Sequence, residues 1–217
     1  MSKIWFISDT HFGDESIIKK CNRPQNYVDL IFNGLKMLKK NDILFVLGDL
    51  CKEGFFYSTE YSERFKRLPF KKYFIKGNHD DISRIDKFMD VWGFDKVYNG
   101  YDPVILFHNI INDGECINIA CSLTHEPEIL PQVILFDLNK MSGMSGFHNL
   151  FIENKYIVAL NIHGHLHGLA SINSVYPSFD VSPEVAGYCP VSLDDIINYR
   201  KNEIIKYIKN LQSKDLI

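Results

Sequence analysis

The sequence predicts an α/β protein whose first strands are parallel, on three observations. Short, nearly continuous apolar runs alternate with stretches of helical period over the first half of the chain. Each run ends in Gly, Asp, Asn or His side chains capable of chemistry, not in an ordinary solvated turn. The 217 residues suffice for one well-buried domain spanning 1–217, and nothing in the chain forces a second.

Taken in order, Lys3 to Ser8 is an apolar run of the kind buried on both faces of a sheet, and it ends in Asp9-Thr10-His11. Val28, Ile31, Phe32, Leu35 and Leu38 recur at helical spacing on one face, with lysines behind them. A second run, Ile43 to Leu47, ends in Gly48-Asp49. Ser58 to Leu68 predicts another amphipathic helix, and the run through Tyr73, Phe74 and Ile75 a third strand, ending in Gly77-Asn78-His79-Asp80. Strand–helix–strand repeats imply right-handed crossovers and parallel strands whose carboxyl ends face one crevice.

The pattern then changes. After a helical stretch from Ser83 to Trp92, the runs Val104 to Phe107 and Cys116 to Thr124 predict a hairpin around Asn112-Asp113-Gly114, and the second run ends in His125. Tyr156 to Ile162 predicts a further strand, ending in His163-Gly164-His165-Leu166-His167. Met141 to Gly146 reads as a loop. Ser192-Leu193-Asp194-Asp195 resembles a capping box and opens a closing helix. Its apolar face is Ile196, Ile197, Ile204, Ile205, Ile208 and Leu211, with a kink expected near Arg200.

Composition excludes several classes. Apolar residues make up 46% and charged residues 24%, near globular averages, so disordered and fibrous chains are disfavoured. No apolar run approaches the ~20 residues that span a bilayer. Net charge is −3, which argues against a long nucleic-acid track. The odd number of cysteines (Cys21, Cys51, Cys116, Cys121, Cys189) and the lack of a C-x-x-C pair predict reduced thiols and, with no signal-peptide pattern, a cytoplasmic protein.

Asn-His-Asp at one strand end is as readily a turn as a site. Pooled, the strand ends supply Asp9, Asp49, Asn78, His11, His125, His165 and His167. Carboxylate with imidazole is the ligand set of a borderline divalent transition metal, and the absence of cysteine from these segments disfavours a thiolate zinc site. Seven ligands exceed one tetrahedral site and suit two metals that share a carboxylate. Two divalent cations outweigh two aspartates and one bridging hydroxide by about one positive charge, which draws in a phosphate.

Asp9-x-His11, Gly48-Asp49, Gly77-Asn78-His79-Asp80, Thr124-His125-x-Pro127 and Gly164-His165-x-His167 resemble, in order, the blocks of the calcineurin-like metallophosphoesterase superfamily. The chain is most similar to small bacterial and phage members, with Ser8 to Gly13, Cys21-Asn22-Arg23-Pro24 and Cys189 to Leu193 matching their opening and closing stretches. The resemblance implies a four-layer α/β/β/α sandwich and a dinuclear site. By matching position, Asp9, His11, Asp49 and His167 would hold one ion, and Asp49, Asn78, His125 and His165 the other. It implies a bridging hydroxide that attacks phosphorus, with His79 as general acid to the leaving oxygen. Manganese, iron, zinc, nickel or cobalt suits this set. Asp80 either orients His79 or, the favoured reading, caps the following turn. Arg23 is a candidate to reach a phosphate oxygen, alongside Asn78; the alternative is a surface loop arginine.

Other residues carry plainer readings. His163 is assigned to the core or to support of the ligands, and His108 and His148 to ordinary structural roles. Asp14 departs from the histidine usual after Phe-Gly, and Glu128 to Asn154 matches the subfamily poorly. The paired lysines 19–20, 39–40 and 71–72 are solvated faces. The function expected is hydrolysis of a small phosphoester, with a lean to phosphodiesters and cyclic nucleotides. A phosphomonoesterase is the near alternative. A nuclease would want a basic groove or extra domain, and a non-catalytic scaffold would have lost ligands this chain keeps. Oligomeric state is not encoded legibly.

Overall fold

The computed structural model describes residues 2–52, 59–81, 85–100, 104–127, 157–168 and 177–213. The Met141 to Gly146 loop, His148 and the poorly matching Glu128 to Asn154 stretch lie outside them.

The first three apolar runs form β1 (Ile4–Ile7), β2 (Ile43–Leu47) and β3 (Lys71–Ile75), all parallel, with the short β4 (Lys96–Tyr98) parallel at one edge. A two-residue strand, β9 (Val191–Ser192), runs antiparallel beside β1 at the other. The sheet order is β4-β3-β2-β1-β9. Alternate side chains divide cleanly between two cores, as a doubly covered sheet requires. Ile7, Leu44, Val46 and Phe74 pack with the helices on the outer face: α1 (Ser16–Lys20), α2 (Tyr27–Leu35), α3 (Glu60–Lys66) and α4 (Ile85–Trp92). Phe6, Phe45, Leu47 and Ile75 face the opposite way, into a core shared with the second sheet.

That second sheet has the order β5-β6-β7-β8. The predicted hairpin is β5 (Val104–Asn112) and β6 (Glu115–Leu123), antiparallel, with Asp113 and Gly114 at positive φ in the turn. β7 (Ile157–His163) and β8 (Ser178–Asp180) follow in parallel. After α5 (Pro183–Ala186), the closing α6 (Leu193–Gln212) buries Ile196, Ile197, Ile204, Ile208 and Leu211 as expected, with Tyr207 added, whereas Ile205 of the expected face is only half-buried. The Ser192 hydroxyl accepts the Asp195 N–H, so the expected cap is present, and the kink expected at Arg200 does not interrupt the helix. Two sheets flanked by helices make the four-layer α/β/β/α sandwich. Among the described residues no helix is long and apolar enough to cross a membrane. All five cysteines are free.

The differences from expectation are at element ends. α2 stops at Leu35, although Leu38 remains buried, and β5 runs five residues beyond Phe107. The short strands β4, β8 and β9 have too few residues to carry a period, so only their pairing partners define them.

Candidate metal centre

Three of the four parallel strands of the first sheet end in the same crevice as β6 and β7, and backbone hydrogen bonds continue past the strands to hold the loops together. The N–H groups of Asp9, His11 and Phe12 donate to the carbonyls of Gly48, Asp49 and Leu50 at 2.9–3.0 Å. Thr10 Oγ1 donates to the Leu50 carbonyl at 2.6 Å. The loop after β1 is thereby paired to the loop after β2. Asp80 ties in the loop after β3: its buried carboxylate accepts from the N–H groups of Asp49 (2.7 Å), Leu50 (3.1 Å) and Gly77 (2.7 Å). Among the described residues it makes no hydrogen bond to the His79 ring, and the turn it was expected to cap runs into residues outside those described. Burial, reinforced by the nearby Asp49 charge, pushes the Asp80 carboxyl up to about 6.

The backbone is bent into unusual conformations at the places where chemistry is expected. Eight described non-glycine residues have positive φ, and Asp9, His11, Asp49, His165 and His167 are five of them, at 45–70°. Asp and His tolerate this region better than most residues, yet each such position still costs roughly 1–3 kcal/mol. The surroundings hold them there. Tyr27 Oη donates to the His11 carbonyl at 2.7 Å, and Arg23 donates to the carbonyls of Asp9 (2.7 Å) and Thr10 (3.1 Å).

The result brings all seven sequence-predicted side chains together. His11 Nε2 lies 3.6 Å from Asp49 Oδ2, and His167 Nε2 lies 3.5 Å from Asp9 Oδ1. His125 Nε2 is 3.5 Å from Asp49 Oδ1, 2.8 Å from Asn78 Oδ1 and 3.3 Å from His165 Nδ1. His165 Nδ1 is 3.1 Å from the same Asn78 oxygen, and the His165 N–H donates to Asp9 Oδ2 at 2.8 Å. Among the described residues three compact groups emerge, Asp9–His11–His167, Asp9–Asp49–His125 and, behind His167, Cys21–His167–Glu184, the ligand atoms of each within 4.8 Å of one another.

The donor arithmetic shows that these atoms fit cations. His125 Nδ1 sits 2.8 Å from the Leu47 carbonyl, which can only accept, so Nδ1 carries the proton and Nε2 presents a lone pair. That lone pair faces the Asn78 and Asp49 oxygens, also acceptors. Asp9 Oδ1 and His11 Nε2 are buried with no hydrogen-bond partner among the described residues. Buried acceptors turned toward one another are costly unless a cation lies between them. Burial, partly opposed by Asp49, lowers the His11 imidazole to about 4, so it is neutral and able to ligate at ordinary pH. Burial raises the Asp9 carboxyl, with His125 and His167 opposing it.

His79 stands apart from this set. Its side chain is exposed, its ring centroid lies 5.9 Å from that of His11, and its backbone N–H donates to Asp49 Oδ1 at 3.0 Å. Asn78 is exposed beside it. His163 is buried in β7 with Nδ1 2.9 Å from the Gly164 carbonyl. His108 is half-buried on β5.

Arg23 takes neither place expected for it. It is 3% exposed, and its fork faces inward to Glu184, with Nε 2.6 Å from Oε1 and Nη2 3.2 Å from Oε2. Glu184 was missed by the sequence reading. It lies 161 positions from Arg23 on a four-residue helix, and no local pattern marks it.

Two glycines are required by close approach. A Cβ at Gly77 would run into Asp49 Oδ1 and come within 2.6 Å of the Asp49 nitrogen, and one at Gly164 would run into Asp9 Oδ2 and Ser8 Oγ. Gly77→Ala removes no ligand, yet is expected to weaken Mn²⁺ binding and activity roughly 10–100-fold by displacing Asp49, as misplacement of about 1 Å does. Calorimetric titration of the purified variant checks this; unchanged affinity would show that the Asp49 position is not critical.

A sandwich of this kind, with Asp, His and Asn side chains gathered at its strand ends, defines a metal-dependent hydrolase. The Calcineurin-like phosphoesterase family matches residues 2–183, and the chain belongs to that family. It is a metal-dependent phosphoester hydrolase. An uncharacterized protein of Methanocaldococcus jannaschii is 30% identical over 217 residues, covering 97% of this chain and 99% of that protein. A probable cyclic nucleotide phosphodiesterase of Coxiella burnetii is 26% identical over 121 residues, 52% of this chain and 47% of that protein. The crystal structure of a protein of unknown function from Aquifex aeolicus shares the fold, with a TM-score of 0.60 at 23% identity, covering 92% of this chain and 100% of that one.

Proposed function

We propose that the chain is a phosphodiesterase that uses two divalent metal ions to cleave small, cyclic-nucleotide-like substrates. The observation that carries this reading is the set of carboxylate, amide and imidazole atoms facing one another at 2.8–3.6 Å, of which Asp9 Oδ1 and His11 Nε2 are buried with no hydrogen-bond partner among the described residues. One ion would be held by Asp9, His11, Asp49 and His167, and the other by Asp49, Asn78, His125 and His165. Bound there, divalent ions acidify water and withdraw charge from phosphoryl oxygens.

The chain's own groups do the rest. Asp49 presents one carboxylate oxygen toward His11 and the other toward His125, as a shared ligand must. Neutral His11 offers Nε2. The Leu47 carbonyl fixes the His125 ring so that its lone pair points inward. His79, at the exposed rim, would deliver a proton to the leaving oxygen, which for an alkoxide is the difficult part of the step. Exposed Asn78 is positioned to touch substrate as well as metal.

Diester preference is supported in two ways. The forked cation that could have clamped a dianionic monoester, Arg23, is directed into the protein. The Coxiella burnetii relative bears a cyclic nucleotide phosphodiesterase name. Free thiols and the absence of an apolar span among the described residues accord with a cytoplasmic enzyme acting as one domain. The test is a hydrolysis screen of protein reconstituted with Mn²⁺, Fe²⁺, Zn²⁺, Ni²⁺ or Co²⁺. It should cover 2′,3′- and 3′,5′-cyclic nucleotides, monoesters, pyrophosphate-linked nucleotides and oligonucleotides. Fastest turnover on a cyclic or small diester is expected; fastest turnover on monoesters or oligonucleotides would overturn the substrate assignment.

A further inference from the structure

Resting on the metal-centre reading above, we propose that Glu184 and Arg23 form a positioning pair that fixes the tautomer of His167, so that its Nε2 lone pair is aimed into the centre before any metal binds.

His167 Nδ1 has two neighbours at 3.3 Å, Glu184 Oε2 and Arg23 Nη2. The first can only accept and the second can only donate, so they demand opposite tautomers. Arg23 Nη2 carries two protons. Its shortest contact, 2.7 Å, is to the Asp9 carbonyl, and it also lies 3.2 Å from Glu184 Oε2. Both protons are thereby used, and none remains for His167. Nδ1 must then hold its own proton and donate it to Glu184. The other nitrogen, Nε2, is left bare 3.5 Å from Asp9 Oδ1, a buried oxygen with no hydrogen-bond partner among the described residues.

The pair is built to hold this arrangement. The Arg23 side chain is fully buried, that of Glu184 is 12% exposed, and Nε anchors Oε1 at 2.6 Å, so Oε2 has one orientation. Both Glu184 oxygens are engaged, Oε1 by Arg23 Nε and Oε2 by Arg23 Nη2 and the His167 ring. Arg23 also grips the carbonyls of Asp9 and Thr10, so one guanidinium sets the loop after β1 and, through Glu184, the ring that closes the centre. A carboxylate behind a metal-bound imidazole is a general device for raising ligand basicity and fixing ring orientation. Neither residue would touch substrate or metal.

The test is nitrogen NMR of the metal-free protein labelled at histidine, at a pH that leaves the ring neutral, with His167 assigned by its disappearance in His167→Gln. Wild-type protein is expected to show His167 protonated at Nδ1 alone. In Glu184→Gln, close to isosteric, the tautomer is expected to become mixed and Mn²⁺ affinity by calorimetry to fall roughly 10–100-fold. Proton on Nε2 in the wild type overturns the proposal, and this measurement does not depend on any variant folding. Unchanged Mn²⁺ affinity in a folded Glu184→Gln protein also overturns it. A wild-type protein that binds no Mn²⁺ would instead overturn the metal-centre reading itself, so the two failures are distinct.

Discussion

Asp49→Asn is expected to lose both metal occupancy and turnover, with activity down roughly 10³-fold or more, a loss of several kcal/mol in the transition state. The reason is that its two oxygens serve different sides of the centre, Oδ2 toward His11 and Oδ1 toward His125. An amide supplies one neutral acceptor where a shared carboxylate supplied two. It also turns an N–H₂ toward an imidazole that the remaining geometry asks to ligate. The fold should survive, because the loop around Asp49 is held through backbone groups by Asp80 and by the paired loop after β1. Metal content by mass spectrometry and turnover on an activated diester check this together. Near-normal turnover would contradict a shared carboxylate.

His79→Gln is expected to separate chemistry from binding. The imidazole contributes nothing to the cage of ligand atoms; only its backbone N–H contacts Asp49, and glutamine keeps that. Both metals should therefore remain. Substrates with alkoxide leaving groups should slow roughly 10²–10⁴-fold, the usual worth of general-acid help. Nitrophenyl esters should slow far less, since nitrophenolate departs without a proton. Measuring kcat on both substrate types decides the matter; equal losses would remove His79 from the acid role.

How much of this was legible beforehand depended on how local the signal was. The seven gathered side chains were readable because each stands where an apolar strand runs out, a place that ordinary turns fill differently. The three parallel strands were readable for the same reason, as runs apolar on both faces. What escaped depends on docking between distant segments. Arg23 was singled out for a phosphate and Glu184 not at all, and their pairing exists only once α5 has settled against the loop after β1. Asp80 was visible as a carboxylate next to His79, but its three backbone donors belong to loops that only the folded sheet assembles. Tyr27 reads as one more helix residue until its hydroxyl is found on the His11 carbonyl. The left-handed backbone at Asp9, His11, Asp49, His165 and His167 carries no sequence signature beyond the tolerance of Asp and His for it.

The central claim, two cations sharing Asp49, is tested most directly by an anomalous difference map from a crystal of the Mn²⁺-loaded protein. The account predicts two peaks ~3.5–4 Å apart, the spacing of two-metal hydrolases. Asp9, His11, Asp49 and His167 should surround one, and Asp49, Asn78, His125 and His165 the other. A single peak, or a pair that leaves Asp49 bound to only one ion, would contradict it.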